Sequence, residues 1–142
     1  MTAEDILTAS TKPVPGDKDE HLYLYAIIRR DLEMSAGKLA AQAGHAFGDA
    51  FEIARNTLPE NVDRYRNADN GGSKVVLSAK NQNQLIKAYN QLLAEGIPCA
   101  IVVDQEHVLP PHFDGSPVIT ALGVGPCAKK DIHHITKKFQ CV

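Results

Sequence analysis

Four short apolar runs constrain what this chain can fold into. They occupy residues 22–30, 74–80, 99–104 and 118–124, and each is rich in β-branched, aromatic or small apolar side chains. Runs of this length and composition are typical of buried strands. None approaches the roughly 18 apolar residues that a membrane-spanning helix needs, so we expect no membrane partner. The chain is therefore expected to build a four-stranded sheet.

Helical patterns lie between and after these runs. Residues 36–55 repeat apolar side chains at the spacing of one helical face, with Ser35 at the N-cap position. Residues 81–95 and 128–139 predict two further helices. The first helix should direct Leu39, Ala43, Ala46, Phe47, Ala50 and Ala54 towards the sheet. Its other, polar face carries Lys38, Gln42, His45, Asp49 and Glu52.

The order of these elements predicts the topology. Strand, helix and strand between residues 74 and 104 form a βαβ unit, whose two strands run parallel. Residues 105–117 hold three prolines and leave no room for a crossover helix, so the fourth strand should run antiparallel to the third. We predict an α/β protein, a single-domain three-layer α/β/α sandwich with a four-stranded mixed β-sheet over residues 22–142. Residues 1–21 read as an N-terminal tail, with at most a short helical turn.

The net charge of the chain does not attract a polyanion such as a nucleic acid. The chain has 15 basic and 17 acidic residues and a net charge of −2. Two of the basic and five of the acidic residues lie in the tail, which leaves 13 and 12 for the domain. Phosphate binding must therefore come from a local patch. The closing helix offers Lys129 and Lys130, followed by Lys137 and Lys138.

Cysteine usage predicts the compartment. Cys99, Cys127 and Cys141 are an odd number and form no C-x-x-C pair, which argues against a disulfide framework or a cysteine zinc knuckle. We expect a reduced, cytoplasmic protein.

Polar residues should converge at one edge of the predicted sheet, because ligands of open α/β sheets bind outside the carboxyl ends of the strands. Asp104 ends the third strand, and Thr120 begins the antiparallel fourth strand at the same edge. Lys38 lies in the first turn of the helix that follows the first strand. Gln42 and His45 follow Lys38 by one and two helical turns.

Such a group suits the attack of water on an ester or amide beside an anion. Gly37 lets a phosphate or oxyanion approach the N–H groups of the helix start, and Lys38 adds a full positive charge. The carboxylate of Asp104 can orient or deprotonate water. Gln42 and Thr120 can position that water or donate to the developing oxyanion.

Several segments, in register, resemble the type 2 peptidyl-tRNA hydrolases. Residues 31–42 read D-L-E-M-S-A-G-K-L-A-A-Q, where that family has D-L-x-M-G-K-G-K-x-A-A-Q. Residues 120–126 read T-A-L-G-V-G-P, where the family has T-x-L-G-I-G-P. Residues 74–77, 96–98 and 102–104 are similar to its second and third strands. The resemblance runs in order from about residue 22 to 139.

The resemblance implies an enzyme that hydrolyses the ester between tRNA and a peptide or N-blocked aminoacyl group. Such enzymes need no cofactor or metal and often form homodimers. By position, the catalytic pair would be Lys38 and Asp104, supported by Gln42, His45 and Thr120. Charge and position add four predicted contacts with tRNA phosphates, namely Gly37, Arg30, Lys129 and Lys130.

Two segments depart from the family pattern. Ser35 and Ala36 stand where the family has Gly-Lys, which removes one cation. The family continues from its strand-end aspartate as D-x-G-x-T, whereas this chain reads D-Q-E-H-V over residues 104–108. The glycine and threonine are both missing, and Val108 cannot form a hydrogen bond through its side chain. We expect reduced or altered specificity.

Two other functions are compatible with the same sequence. A domain that has lost the hydrolase loop could keep the scaffold and bind RNA, a nucleotide or a protein without catalysis. A divalent-metal-dependent hydrolase could instead use five potential ligands in residues 104–114, which are Asp104, Glu106, His107, His112 and Asp114. Zinc, manganese or nickel in the purified protein would favour the second of these.

Overall fold

The computed structural model describes residues 1–10, 21–67, 72–105, 108–109 and 113–142. Within them the chain forms five helices and seven strands. The helices are α1 (Ala3–Ser10), α2 (Ala36–Thr57), α3 (Pro59–Asn67), α4 (Gln82–Ala94) and α5 (Lys129–Thr136). The strands are β1 (Leu22–Arg29), β2 (Ser73–Ala79), β3 (Cys99–Asp104), β4 (Val108–Leu109), β5 (Phe113–Asp114), β6 (Val118–Ala128) and β7 (Gln140–Cys141).

The main sheet has the strand order β3-β6-β1-β2-β7. β1 pairs in parallel with β2, and β6 runs antiparallel to both β1 and β3, as predicted for the fourth apolar run. The prediction of four strands was wrong, because β7 pairs antiparallel with the outer edge of β2. β7 has only two residues, too few to show a periodic pattern. β4 and β5 form a separate two-stranded hairpin.

Buried residues of β1 belong to two different core clusters, since alternate residues of a strand point to opposite sides. Tyr25 and Ile27 of β1 belong to a core cluster that includes buried side chains of α4 and α5. Ala26 and Ile28 belong to a second cluster, which includes Ala43 and other residues of α2. The continuous apolar sequence of β1 thus reflects burial on two sides.

α2 approaches the sheet closely because β6 carries a glycine beneath it. A Cβ added at Gly123 would lie 1.9 Å from the carbonyl oxygen of Ala46, far inside van der Waals contact. Ala46 and Ala50 are fully buried at this crossing. The outer side of α2 is different: a Cβ at Gly44 or Gly48 would meet no described heavy atom within 4 Å beyond its own helix. Gly123 therefore sets the distance between α2 and β6.

The start of α2 is fixed as the sequence predicted. Ser35 is the N-cap, and its hydroxyl oxygen accepts a hydrogen bond from the backbone N–H of Lys38 at 3.3 Å. Just before it, Glu33 has a φ of 50°, in the left-handed region that side chains rarely adopt. The turn at Glu33 allows the partly buried Met34 to pack against the α2-side core.

Three segments are more ordered than their patterns predicted. The polar stretch between α2 and β2 was predicted as a loop with one helical turn, but it forms the nine-residue helix α3. The fourth apolar run extends to Ala128 rather than residue 124. The predicted tail includes the exposed helix α1 of eight residues. None of the described helices combines the length and apolar character that crossing a membrane requires.

Candidate active site

An ion pair joins the start of α2 to the end of β3. The Nζ atom of Lys38 donates a hydrogen bond to Oδ2 of Asp104, 66 residues further along the chain. Only 11% of the Lys38 side chain and 17% of the Asp104 side chain are exposed. The two charges therefore meet in a partly desolvated place, where their attraction is stronger than in open water.

A buried polar pair accompanies the ion pair one helical turn further along α2. The hydroxyl of Thr120 donates to Oε1 of Gln42 at 2.5 Å. Gln42 is 4% exposed and Thr120 fully buried, so both polar groups depend on this bond. The sequence had placed Gln42 on the polar, outward face of α2, and that part of the prediction was wrong. With its oxygen bound to Thr120, Gln42 keeps an amide N–H group that can donate.

A β-bulge turns Thr120 towards α2. Ala121 pairs with Val102 and Ile119 with Val103, so Thr120 is the extra residue where the β3–β6 register shifts. Ala121 packs in the α2-side core and Ile119 packs against the core on the opposite face. Strict alternation would point Thr120 to the same face as Leu122, away from α2. The bulge places Thr120 and Ala121 on the same side instead.

Among the described residues, His45 makes no hydrogen bond to these two pairs. Its side chain is exposed on the outer part of α2, while Gln42, three residues earlier, is buried.

Gly37 is exposed in the first turn of α2, and a Cβ there would have no described heavy atom within 4 Å outside its own helix. The space beside the helix start is therefore open to an approaching group.

The predicted phosphate contacts lie in two other places. Arg30 is exposed and donates from Nη1 to Oε1 of Gln140 at 2.9 Å, on the β7 side of the sheet. Lys129 and Lys130 begin α5 directly after Ala128, which pairs with Leu22 at the opposite end of β1. At about 3.3 Å per residue, the eight residues of β1 place these lysines about 25 Å from the ion pair. They cannot contact the same phosphate as Lys38.

Sequence reasoning missed Arg29, the neighbour of Arg30. Its guanidinium holds both carboxylate oxygens of Asp31, at 3.1 and 2.7 Å. It also donates to the backbone carbonyl of Ile119 at 2.9 Å, next to Thr120. Arg29 therefore ties the loop before α2 to the bulged part of β6. The signal was an arginine at a strand end two residues before an aspartate, which fits a bidentate pair.

The predicted metal-binding loop is only partly described, because Glu106, His107 and His112 lie outside the described residues. The described part of the chain contains no group of three His, Cys, Asp or Glu side chains that could hold a metal ion. Asp114 accepts hydrogen bonds from the hydroxyl and backbone N–H of Ser116, and these bonds lower the pKa of its carboxyl group. Asp114 is thus engaged in a local turn.

The cysteines do not supply a nucleophile to this site. Burial raises the pKa of the Cys99 thiol to about 11 and that of the Cys127 thiol to about 12. Both therefore remain neutral thiols at physiological pH, whereas Cys141 is exposed.

We expect iodoacetamide at pH 8 to add one group to the native protein, at Cys141, and three to the urea-denatured protein. Mass spectrometry of the intact chain measures this, and rapid labelling of Cys99 or Cys127 in the native protein would contradict it.

Thr120→Val should separate the role of the buried hydrogen bond from that of side-chain volume. Valine fills the same space but leaves the oxygen of Gln42 buried without its donor, which costs about 1–3 kcal/mol. We expect the free energy of unfolding, measured by urea denaturation, to fall by this amount. Thr120→Ser keeps the hydroxyl and should recover most of the loss. Equal stabilities of the two variants would show that the bond to Gln42 contributes little.

Comparison with known proteins assigns the family. The sequence pattern described as "Peptidyl-tRNA hydrolase PTH2" matches residues 22–142. A peptidyl-tRNA hydrolase of Methanocaldococcus jannaschii is 37% identical over 114 residues, which cover 80% of this chain and 93% of that protein. A peptidyl-tRNA hydrolase of Sulfolobus acidocaldarius is 32% identical, covering 78% of this chain and 91% of its own length. This chain therefore belongs to the peptidyl-tRNA hydrolase PTH2 family.

Proposed function

We propose that this chain is a peptidyl-tRNA hydrolase, which cleaves the ester between tRNA and a peptide or an N-blocked aminoacyl group and so returns tRNA to translation. The observation that carries the proposal is the Lys38–Asp104 ion pair beside the buried Gln42–Thr120 pair. Membership of the family supports the reaction, and the four side chains supply groups that ester hydrolysis requires.

Asp104 is proposed to activate the attacking water. Its Oδ2 is held by Lys38, and a carboxylate retains further acceptor positions for a water molecule. The water oxygen attacks the ester carbonyl carbon while its proton passes to the carboxylate. The bond between the carbonyl carbon and the ribose oxygen then breaks, and the ribose oxygen takes the proton. The products are a free carboxylic acid and a tRNA with a restored hydroxyl group.

Lys38 and the helix start are proposed to stabilise the developing negative charge. Lys38 belongs to the first turn of α2, where the N–H groups of the helix carry partial positive charge, and its ammonium group binds Asp104. The open space at Gly37 lets a phosphate or oxyanion come close to those N–H groups. The Gln42 amide, held by Thr120, is proposed as a further donor. His45 is proposed only as a contact at the outer margin of the site.

Basic residues outside the ion pair are proposed to contact tRNA phosphates. Lys129 and Lys130 begin α5, and Arg30 is exposed near β7. Since residues 22–142 hold 13 basic and 12 acidic residues, we expect weak, strongly salt-dependent binding of tRNA. The chemistry would then depend on local contacts rather than on a general electrostatic attraction.

The organisation of the protein is proposed in the same way. We infer a catalytic domain over residues 22–142, with residues 1–21 as an N-terminal extension and the sheet as the middle layer of a three-layer sandwich. We also propose that the protein works in the cytoplasm, as a homodimer and without a metal or organic cofactor. Analytical ultracentrifugation tests the dimer directly.

The experiment that tests the activity follows the release of tRNA from N-acetyl-aminoacyl-tRNA. We expect the protein to release tRNA faster than buffer does and to act more slowly on aminoacyl-tRNA with a free amino group. A second arm contains EDTA, which should leave the rate unchanged. Full loss with EDTA and recovery with zinc or manganese would favour a metal-dependent hydrolase. Binding of the substrate without release of tRNA would favour the non-catalytic alternative.

A further inference from the structure

A pocket of about 340 Å³ opens on the other side of the first turn of α2. Its apolar floor is formed by Ile28 of β1, Met34 of the preceding loop and Leu39 of α2. Its wall includes two arginines, Arg29 and Arg30, one carboxylate, that of Glu33, and the side chains of Ser78 and Cys141. This volume lies in the range of small-molecule sites, roughly 300–1,000 Å³.

The pocket and the ion pair involve consecutive residues of α2. Lys38 reaches towards β3, where it binds Asp104, whereas Leu39 packs on the side of Ile28. Consecutive residues of a helix point about 100° apart, so the ion pair and the pocket flank one helical turn. Because Lys38 and Leu39 are consecutive residues, a ligand in the pocket would lie beside the residue next to Lys38. A ligand larger than the pocket could therefore extend past this turn of the helix towards Lys38 and Asp104.

The wall of the pocket has the chemistry of a nucleobase site. Met34 and Leu39 offer an apolar surface to a flat ring, and the hydroxyl of Ser78 offers a polar partner to its edge. The guanidinium of Arg30 can stack on a base or bind a phosphate. Arg30 donates a hydrogen bond to Gln140, which also lines the pocket. The guanidinium is thus oriented by another residue of the same wall.

The chemistry of the substrate decides which part of it fits. The peptide of a peptidyl-tRNA varies in sequence, and a small shaped pocket would reject most of its side chains. The ribose that carries the ester belongs to the same terminal adenosine in every tRNA. A pocket lined by Leu39, the residue next to Lys38, suits that constant part.

We propose that this pocket binds the terminal adenosine of the tRNA, with the base over Met34 and Leu39 and the phosphate towards Arg30. The proposal rests on the proposed function, because it names the part of that substrate held beside the ion pair. It places the varying peptide outside the pocket, on the open side of the ion pair.

Cys141 provides a reporter that does not depend on catalysis. It lines the pocket and is the one exposed cysteine of the three. We expect adenosine 5′-monophosphate to slow iodoacetamide labelling of Cys141 in a saturable way. N-acetyl-phenylalanine and inorganic phosphate should have little effect. Protection by N-acetyl-phenylalanine but not by the nucleotide would overturn the proposal in favour of a peptide pocket.

Variants locate the bound nucleotide. Cys141 also lines a second cavity of about 220 Å³ beside Val75 and Lys137, so protection alone does not distinguish the two. Leu39→Gln and Met34→Gln should each raise the nucleotide concentration needed for half-maximal protection of Cys141 at least tenfold. Val75→Gln and Leu93→Gln should leave that concentration unchanged. Loss with Val75→Gln alone would place the nucleotide in the second cavity and overturn the proposal. Two separate variants of the pocket guard against misfolding of either one.

The outcome is separable from the test of activity. Labelling of Cys141 does not require turnover. If the nucleotide protects Cys141 but the protein does not hydrolyse N-acetyl-aminoacyl-tRNA, the proposed activity is wrong and the nucleoside site is supported. If the protein hydrolyses this substrate but the nucleotide gives no protection, the proposed activity is supported and the adenosine pocket is wrong. In an active enzyme, Leu39→Gln should raise KM for the tRNA ester far more than it lowers kcat.

Discussion

Lys38→Met is expected to lower kcat/KM for N-acetyl-aminoacyl-tRNA by about 10²- to 10³-fold, the usual cost of removing a group that stabilises transition-state charge. Methionine keeps the unbranched apolar stem but not the ammonium group that binds Asp104. Since only 11% of the Lys38 side chain is exposed, solvent and salt cannot replace the lost charge. Steady-state release of tRNA measures the effect.

Two controls make that result specific. Lys87→Met removes a lysine from the exposed surface of α4 and should leave kcat/KM within about twofold of the wild type. Circular dichroism should show that Lys38→Met keeps its secondary structure. Lys38→Arg retains the charge and should recover part of the rate. A Lys38→Met protein as active as the Lys87→Met control would remove Lys38 from the mechanism.

Gly123→Ala should lower the free energy of unfolding strongly. Among the described glycines of the sheet face under α2, it is the one where an added methyl group should destabilise the protein most. Its Cβ would lie 1.9 Å from a backbone carbonyl oxygen, which cannot rotate away as a flexible side chain can. α2 must shift, and we expect a loss of about 2–4 kcal/mol in the free energy of unfolding. Because α2 also carries Lys38 and Gln42, the activity of the folded fraction should fall as well.

Gly44→Ala is the matched control for that change. It adds the same methyl group to the exposed side of α2, where no described atom outside the helix lies within 4 Å. Alanine is favoured over glycine inside a helix by about 0.8–1.0 kcal/mol, so this variant should be more stable than the wild type. Urea denaturation compares the two variants directly. If both change stability equally, the close contact of α2 with β6 is not what fixes their spacing.

The position of the ion pair could be predicted because it follows from general rules. Asp104 ends a strand and Lys38 opens the helix after another strand of the same direction, and such ends meet at one sheet edge. The directions of β3 and β6 followed from the helical pattern before β3 and the absence of one before β6. The hydrophobic pattern located the end of β3 at Asp104, and the N-cap at Ser35 located the start of α2 near Lys38.

The partner of Gln42 could not be predicted, because it depends on a single extra residue in β6. Without the bulge at Thr120, alternation turns that hydroxyl away from α2. Gln42 itself lies one helical turn before the buried Ala46, so helical spacing places it on the inner face of α2. The close approach of α2 to β6 at Gly123 then brings Gln42 within reach of Thr120. β7 escaped prediction for another reason, since its two residues have no period.

The loop after β3 differs from the family pattern, yet the side chains that it would supply are separate from the pairs described above. Lys38, Gln42 and Thr120 lie on α2 and β6, and Asp104 is the last residue of β3. The site thus retains the two hydrogen-bonded pairs although Val108 stands where the family has threonine.

The central claim, that Asp104 activates water in an ester-cleaving site, is tested most directly by single-turnover hydrolysis with enzyme in excess over N-acetyl-aminoacyl-tRNA. Asp104→Asn keeps the shape and an oxygen for Lys38 but cannot take a proton from water. We predict that its single-turnover rate constant falls by about 10²- to 10⁴-fold while the affinity for tRNA is unchanged. A wild-type rate no faster than buffer, or an Asp104→Asn rate equal to the wild-type rate, would contradict the account.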